Sequence, residues 1–186
     1  MERIIYLAGG CFWGVQKFFD QFDGVLETEV GYANGRTERP AYEELKETGH
    51  AETVRIVYDD EVLQLEDLLD DYFMIIDPLS VNKQGPDVGT QYRTGIYYTD
   101  ASQLPAILTK TGAVAQKLGR PLAVEIGPIE NYYTAEEYHQ KYLDRIPWGY
   151  CHISRNMFLL QEMRRRNAAS EAERLKKAAE SGHFGE

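Results

Sequence analysis

The chain has 186 residues, enough for one domain with a proper core, and 43% of them are hydrophobic, as in an ordinary globular protein. Its formal net charge is −10, from 20 Lys and Arg against 30 Asp and Glu. That balance excludes nucleic acid as the main partner, because phosphate binding needs clustered cations. No apolar run approaches the roughly 20 residues that span a bilayer. Met1-Glu2-Arg3 leads straight into a predicted strand without the apolar segment of a secretory signal. The expectation is a cytoplasmic protein with no membrane partner. Two cysteines, Cys11 and Cys151, cannot build a disulfide framework of the secreted kind, and in a reducing compartment such a pair points to reactive thiols.

The apolar run Ile4 to Ala8 predicts a short buried strand, and Val15, Phe18 and Phe19 mark one face of a helix. Between them lies Gly9-Gly10-Cys11-Phe12-Trp13-Gly14, which puts Cys11 at a strand-to-helix turn. Unpaired N–H groups and the partial positive charge of a helix start favour a thiolate there, so the expectation is a thiol with a lowered pKa. Val25 to Ala33 reads as a strand ended by the turn Asn34-Gly35, and Pro40 begins a short helix. Glu52 to Tyr58 is a further strand. Leu65, Leu68, Leu69, Tyr72 and Phe73 predict a helix that Asp77-Pro78 stops.

Residues 79–91 form a long connection rich in Gly, Pro, Asn and Asp, of a kind that is often functional. A strand over 93–99, a helix over 100–118, a strand over 122–126 and a helix over 135–143 follow. Pro147 to His152 is irregular and aromatic. From Asn156 a helical pattern runs to Ala179, its apolar face (Met157, Leu159, Leu160, Met163) fading after Met163. The pattern fits an α+β fold with helices mainly on one face of a sheet. It divides into a single catalytic domain over 1–155 and a C-terminal helical extension over 156–186.

Several residues combine polarity and aromaticity in ways a core does not require. Taken alone, Glu52 reads as a solvated strand end, Asp87 as a turn residue, and Tyr42 and Tyr92 as surface aromatics. His50 and His152 have no recognised zinc spacing, so no metal is expected.

Gly10-Cys11-Phe12-Trp13-Gly14, Gly49-His50-Ala51-Glu52, Gly89-Thr90-Gln91-Tyr92-Arg93 and Gly149-Tyr150-Cys151 together closely resemble the peptide methionine sulfoxide reductase A family, in the family's order over residues 4–153. The resemblance implies a two-layer sandwich with a mixed sheet and a ferredoxin-like (α-β plait) core. It implies Cys11 as the nucleophile that attacks the sulfoxide sulfur, and Glu52 as the acid for the departing oxygen. Tyr42 and Tyr92 would be donors to that oxygen, Asp87 a substrate-orienting group, and Phe12 and Trp13 the wall of a methyl pocket selecting the S epimer. Cys151 would resolve the Cys11 sulfenic acid as a disulfide, with thioredoxin as external reductant and no bound cofactor. The expected substrates are oxidised methionine in proteins, in peptides or free, and the expected state is a monomer. Beyond Ile153 the chain departs from the pattern, with a long helix in place of a glycine-rich tail carrying another cysteine.

Other readings explain less. A two-cysteine thiol peroxidase or disulfide reductase uses both thiols but leaves Phe12, Trp13, Glu52 and the tyrosines without a task, and C-x-x-C is absent. A cysteine hydrolase needs a histidine beside the sulfur and an oxyanion hole. A non-catalytic module that binds oxidised-methionine peptides has no use for a resolving cysteine.

Overall fold

In chain order, the elements of the computed structural model, which describes residues 1–181, are β1 (Glu2–Gly9), α1 (Phe12–Phe19), β2 (Val25–Ala33), α2 (Leu45–Thr48), β3 (Ala51–Asp59) and α3 (Leu65–Ile75). There follow the two-residue strands β4 (Lys83–Gln84) and β5 (Asp87–Val88), then β6 (Thr94–Tyr98), α4 (Leu104–Leu118), β7 (Glu125–Pro128), β8 (Tyr132–Thr134), α5 (Tyr142–Arg145) and α6 (Arg155–Ser181). The six long strands form one sheet in the order β7-β6-β1-β3-β2-β8. All neighbours are antiparallel except β6 and β7, which makes the sheet mixed. The inner order β6-β1-β3-β2, threaded as β1-α1-β2-β3-α3-β6, is the ferredoxin-like plait.

Period-two alternation divides the two faces. Ile5 and Leu7 of β1 and Val54 and Ile56 of β3 point to the helices, where Val15, Phe18 and Phe19 of α1 and Leu68, Leu69 and Tyr72 of α3 close a core of fully buried side chains. Each such aliphatic or aromatic side chain contributes about 1.5–3 kcal/mol by leaving water. The opposite face packs Ala8, Ala33, Ala51 and Tyr97 under Tyr6, Ile129 and Tyr132. Tyr72 also works across layers: its hydroxyl donates to Ala8 O at 2.7 Å, pinning the end of β1 to α3.

The structure departs from the sequence reading in the last third of the chain. The strand expected over 122–126 begins at Glu125, where it pairs with Gly95 of β6. The helix expected over 135–143 is broken into a 3₁₀ turn at Glu137–His139 and the single-turn α5, with Lys141 between them at φ +51°. On α6, Met157 and Phe158 pack on the core, Phe158 edge-on to Phe18 at 6.0 Å. Leu159, Leu160 and Met163, expected to pack as well, are largely exposed, and on the same helix Arg164 pairs with Asp71 (2.9 Å) and Arg165 with Asp23 (3.0 Å).

Candidate active site

Sheet register brings three loops to one end. β1 ends at Gly9, which pairs with Thr94 at the start of β6. The β1–β3 pairing of Leu7 with Val54, continued for two residues, sets Gly9 beside Glu52 at the start of β3. Cys11 therefore emerges between the segment that carries Glu52 and the loop that ends in Tyr92.

Cys11 caps α1 and is only 7% exposed. Glu52 is 2% exposed, so it is no solvated strand end. The Phe12 N–H donates to Glu52 Oε2 at 3.0 Å, which ties the carboxyl to the residue next to the sulfur. Burial pushes the Glu52 pKa up to about 8, with Asp87 adding to the rise and the Phe12 N–H opposing it. The thiol departs from the expectation of a lowered pKa. Burial first, and the neighbouring Glu52 second, push Cys11 well above its ordinary value, against a hydrogen bond from the Trp13 N–H. The helix start is present, but desolvation outweighs it.

A cavity of about 330 Å³ opens over the sulfur, lined by Cys11, Phe12, Trp13, Tyr42, Glu52, Asp87, Tyr92 and Tyr150. Cys11, Glu52 and the five residues expected to bind substrate share this wall, while Cys151, His50 and His152 do not line it. Tyr42 and Tyr92 share this wall, and each carries a hydroxyl hydrogen that a ligand oxygen can accept. Burial raises both pKa values, so both phenols stay protonated. Tyr150 was not assigned from the sequence although it stands beside Cys151. Its hydroxyl donates to Asp87 Oδ2 at 2.8 Å and closes one side of the mouth.

The long connection is ordered by buried side chains. Gln84 accepts from Asp77 N and donates to Asp77 O, both at 2.9 Å. It packs on Gly10, which has φ +85° and where a Cβ would lie 2.7 Å from Gln84 Cβ. Only glycine fits the turn before Cys11. Arg93 donates to Gly49 O at 2.9 Å and to Thr90 O at 3.0 Å, joining the segment before Glu52 to the segment before Tyr92.

Cys151 lies one turn of α1 beyond Cys11. A Cβ on Gly14 would come within 2.7 Å of its sulfur. Both cysteines are free thiols, and burial raises the Cys151 pKa. A larger surface groove of about 690 Å³ lies away from Cys11, on the α6 side of Cys151. Among the remaining histidines, His152 Nε2 meets Gly9 O at 2.9 Å and His50 Nδ1 meets Thr48 Oγ1 at 2.9 Å. Both brace the turn and the strand start. His139, whose lone position gave no spacing signal, is buried behind Trp13.

The turn that bears Cys11, the buried Glu52 carboxyl and a second free thiol, Cys151, are gathered around the start of α1. The family model described as peptide methionine sulfoxide reductase matches residues 3–171. A curated relative from Lachnoclostridium phytofermentans, peptide methionine sulfoxide reductase MsrA, is 55% identical over 85% of this chain and 96% of its own. Reduced Mxr1 from Saccharomyces cerevisiae superposes with a TM-score of 0.78 at 37% identity, over 82% of this chain and 91% of that one. Mxr1 in complex with Trx2 matches at a TM-score of 0.56 and 28% identity, over 76% and 84%. The chain belongs to the peptide methionine sulfoxide reductase family. Among the described residues no helix is long and apolar enough to cross a membrane.

Proposed function

We propose that the chain reduces methionine S-sulfoxide, in proteins, in peptides and free, through Cys11, Glu52 and Cys151, and that a thioredoxin recycles it. The observation that carries this reading is Glu52, buried and held beside Cys11 in an aromatic cavity, where desolvation favours its protonated form. A peroxidase or a binding module has no use for such an acid.

The sulfoxide methyl group sits against Phe12 and Trp13 with its oxygen toward Glu52 and the tyrosine pair. The Phe12 N–H occupies Oε2, which leaves the proton on Oε1. Glu52 gives that proton to the sulfoxide oxygen while the Cys11 sulfur attacks the sulfoxide sulfur, and it takes up the proton that Cys11 releases. Glu52 ends as it began. A raised thiol pKa is then no obstacle, because Cys11 ionises against an oxygen that is being protonated. Tyr42 and Tyr92 donate to the oxygen as negative charge develops. The oxygen then passes from the substrate sulfur to the Cys11 sulfur as the bond between the two sulfurs breaks, which releases the thioether and leaves Cys11 as a sulfenic acid. The Cys151 thiol displaces water from it to give the Cys11–Cys151 disulfide. A dithiol partner reduces that bond by exchange, as a thioredoxin would, in line with the Mxr1–Trx2 complex.

Asp87 and Tyr150 orient the substrate at the mouth. The site lies within residues 11–151, which supports one catalytic domain over 1–155 with 156–186 as an extension, although the family match runs on to residue 171. Two free thiols suit the reducing cytoplasm. The test is incubation with each epimer of a methionine sulfoxide peptide, with thioredoxin, its reductase and NADPH. Sustained turnover of the S epimer alone supports the reading. Peroxide consumption with neither epimer reduced overturns it in favour of a thiol peroxidase.

A further inference from the structure

His139 is a buried polar side chain that no step above employs. It is 2% exposed, and its ring lies 5.2 Å from Phe12, 5.7 Å from Trp13 and 4.9 Å from Tyr42 between centroids. The Trp13 indole N–H donates to His139 Nδ1 at 3.1 Å. An accepting Nδ1 carries no hydrogen, so the neutral ring holds its hydrogen on Nε2. Nε2 faces Glu136 Oε2 at 3.8 Å. The other oxygen of Glu136 accepts from the Tyr42 N–H at 3.2 Å. Glu136 is held by the Tyr42 N–H, on the β2–β3 connection, and by the Tyr32 hydroxyl, and its carboxylate faces Nε2 across 3.8 Å, beyond hydrogen-bond distance. Packing alone does not account for this arrangement. A phenyl ring at 139 would fill the space and leave the indole N–H without this acceptor.

Trp13 has a second restraint. It stacks on Tyr142 with centroids 3.7 Å apart and planes 16° from parallel. Stacking fixes the plane of the indole but lets it slide and turn within that plane. The hydrogen bond to His139 removes that freedom.

We propose that His139 is a positioning residue that fixes the in-plane orientation of Trp13 and so sets the size of the methyl pocket, making the site favour S-methyl over larger S-alkyl sulfoxides. The inference rests on the reading of Trp13 as the wall of that pocket. The experiment compares single-turnover kcat/KM of the full chain for methionine S-sulfoxide and ethionine S-sulfoxide, in wild type, His139→Leu, His139→Asn, Trp13→Phe and the double variant Trp13→Phe/His139→Leu. Leucine cannot accept the indole N–H, whereas the asparagine oxygen can stand in for Nδ1.

His139→Leu is expected to lower the methyl-to-ethyl ratio by about tenfold, the scale of one buried hydrogen bond. His139→Asn should keep the ratio within about threefold of wild type, and His139→Leu should change it by less than about twofold once Trp13 is Phe. An unchanged ratio in His139→Leu, an equal change in both backgrounds, or His139→Asn behaving like His139→Leu would overturn the proposal. If Trp13→Phe alone leaves the ratio at the wild-type value, the methyl-wall reading itself fails. If Trp13→Phe shifts the ratio and His139→Leu does not, only the role of His139 fails. Should His139→Leu not fold, His139→Gln replaces it. Its amide lies where Nε2 was, so it can still face Glu136 but offers Trp13 no acceptor, and the same loss of ratio is expected.

Discussion

The Phe12 amide donates to Glu52 Oε2 at 3.0 Å, so the acid and the nucleophile are carried by neighbouring residues of one rigid unit, the β1–α1 turn clamped to the start of β3. Glu52→Gln preserves the acceptor and the shape but removes the proton. Reduction of the sulfoxide, followed as oxidation of Cys11 in a single turnover, should fall by about 10²- to 10⁴-fold, the usual worth of a positioned general acid. A loss below about fivefold would remove Glu52 as the proton donor.

The same substitution should stabilise the protein at alkaline pH. Burial raises the Glu52 pKa to about 8 in the folded chain, from an ordinary carboxyl value of 4.5. Between those values the folded state holds a proton that the unfolded state has lost, so stability contributed by this group falls as pH rises through that window. Glu52→Gln has no such loss. Its Tm should exceed that of wild type by several degrees at pH 8.5 and approach it near pH 4.5, measured by thermal denaturation at both values. Wild-type kcat/KM should decline above about pH 8 as Glu52 ionises.

Gly14 leaves the space that the Cys151 sulfur occupies. An added Cβ would lie 2.7 Å from Cys151 Sγ and 3.3 Å from Ile153 Cδ1. Alanine is the better helix former by about 1 kcal/mol, so Gly14→Ala should not weaken α1 itself. It should displace Cys151, leave the first turnover intact and slow disulfide formation. Expected is about a tenfold drop in the thioredoxin-coupled rate, with a Cys11 sulfenic acid that can be trapped by dimedone and seen by mass spectrometry. Cys151→Ser should show the same pattern in full. Normal disulfide formation in Gly14→Ala would mean that Cys151 approaches Cys11 by another route.

How far the site could be read from the chain depended on whether each residue answered to local or to tertiary forces. The Cys11 turn and α3 were legible, because apolar spacing and glycines act locally. The β4–β5 hairpin was not: two-residue strands have no periodicity, and the Gln84 side chain holds them in place. The helix expected over 135–143 looked sound until Lys141, whose N–H is taken by Gln16 Oε1 at 2.9 Å and whose Nζ reaches Asp20 at 2.6 Å. Those contacts, 125 and 121 positions away, outweigh helix propensity. The Cys11 pKa followed the same rule. The helix start could be seen in sequence, but the depth of burial and the nearness of Glu52 exist only in the fold.

Tyr150 ties the entrance of the cavity to the resolving loop. Its hydroxyl donates to Asp87 Oδ2 at 2.8 Å, and Cys151 is the next residue. While that bond holds, Asp87 is fixed at the cavity mouth and the loop lies over it. In the proposed scheme Cys151 moves to Cys11, and Tyr150, its neighbour in the chain, is expected to leave Asp87. Tyr150→Phe keeps the ring and removes only the donor. Tyr150 is 44% exposed, so water partly replaces the lost bond and the effect should be modest. KM for a methionine sulfoxide peptide should rise about three- to fivefold with single-turnover kcat nearly unchanged. A fall in kcat at constant KM would instead place the Tyr150 hydroxyl at the reacting oxygen, alongside Tyr42 and Tyr92.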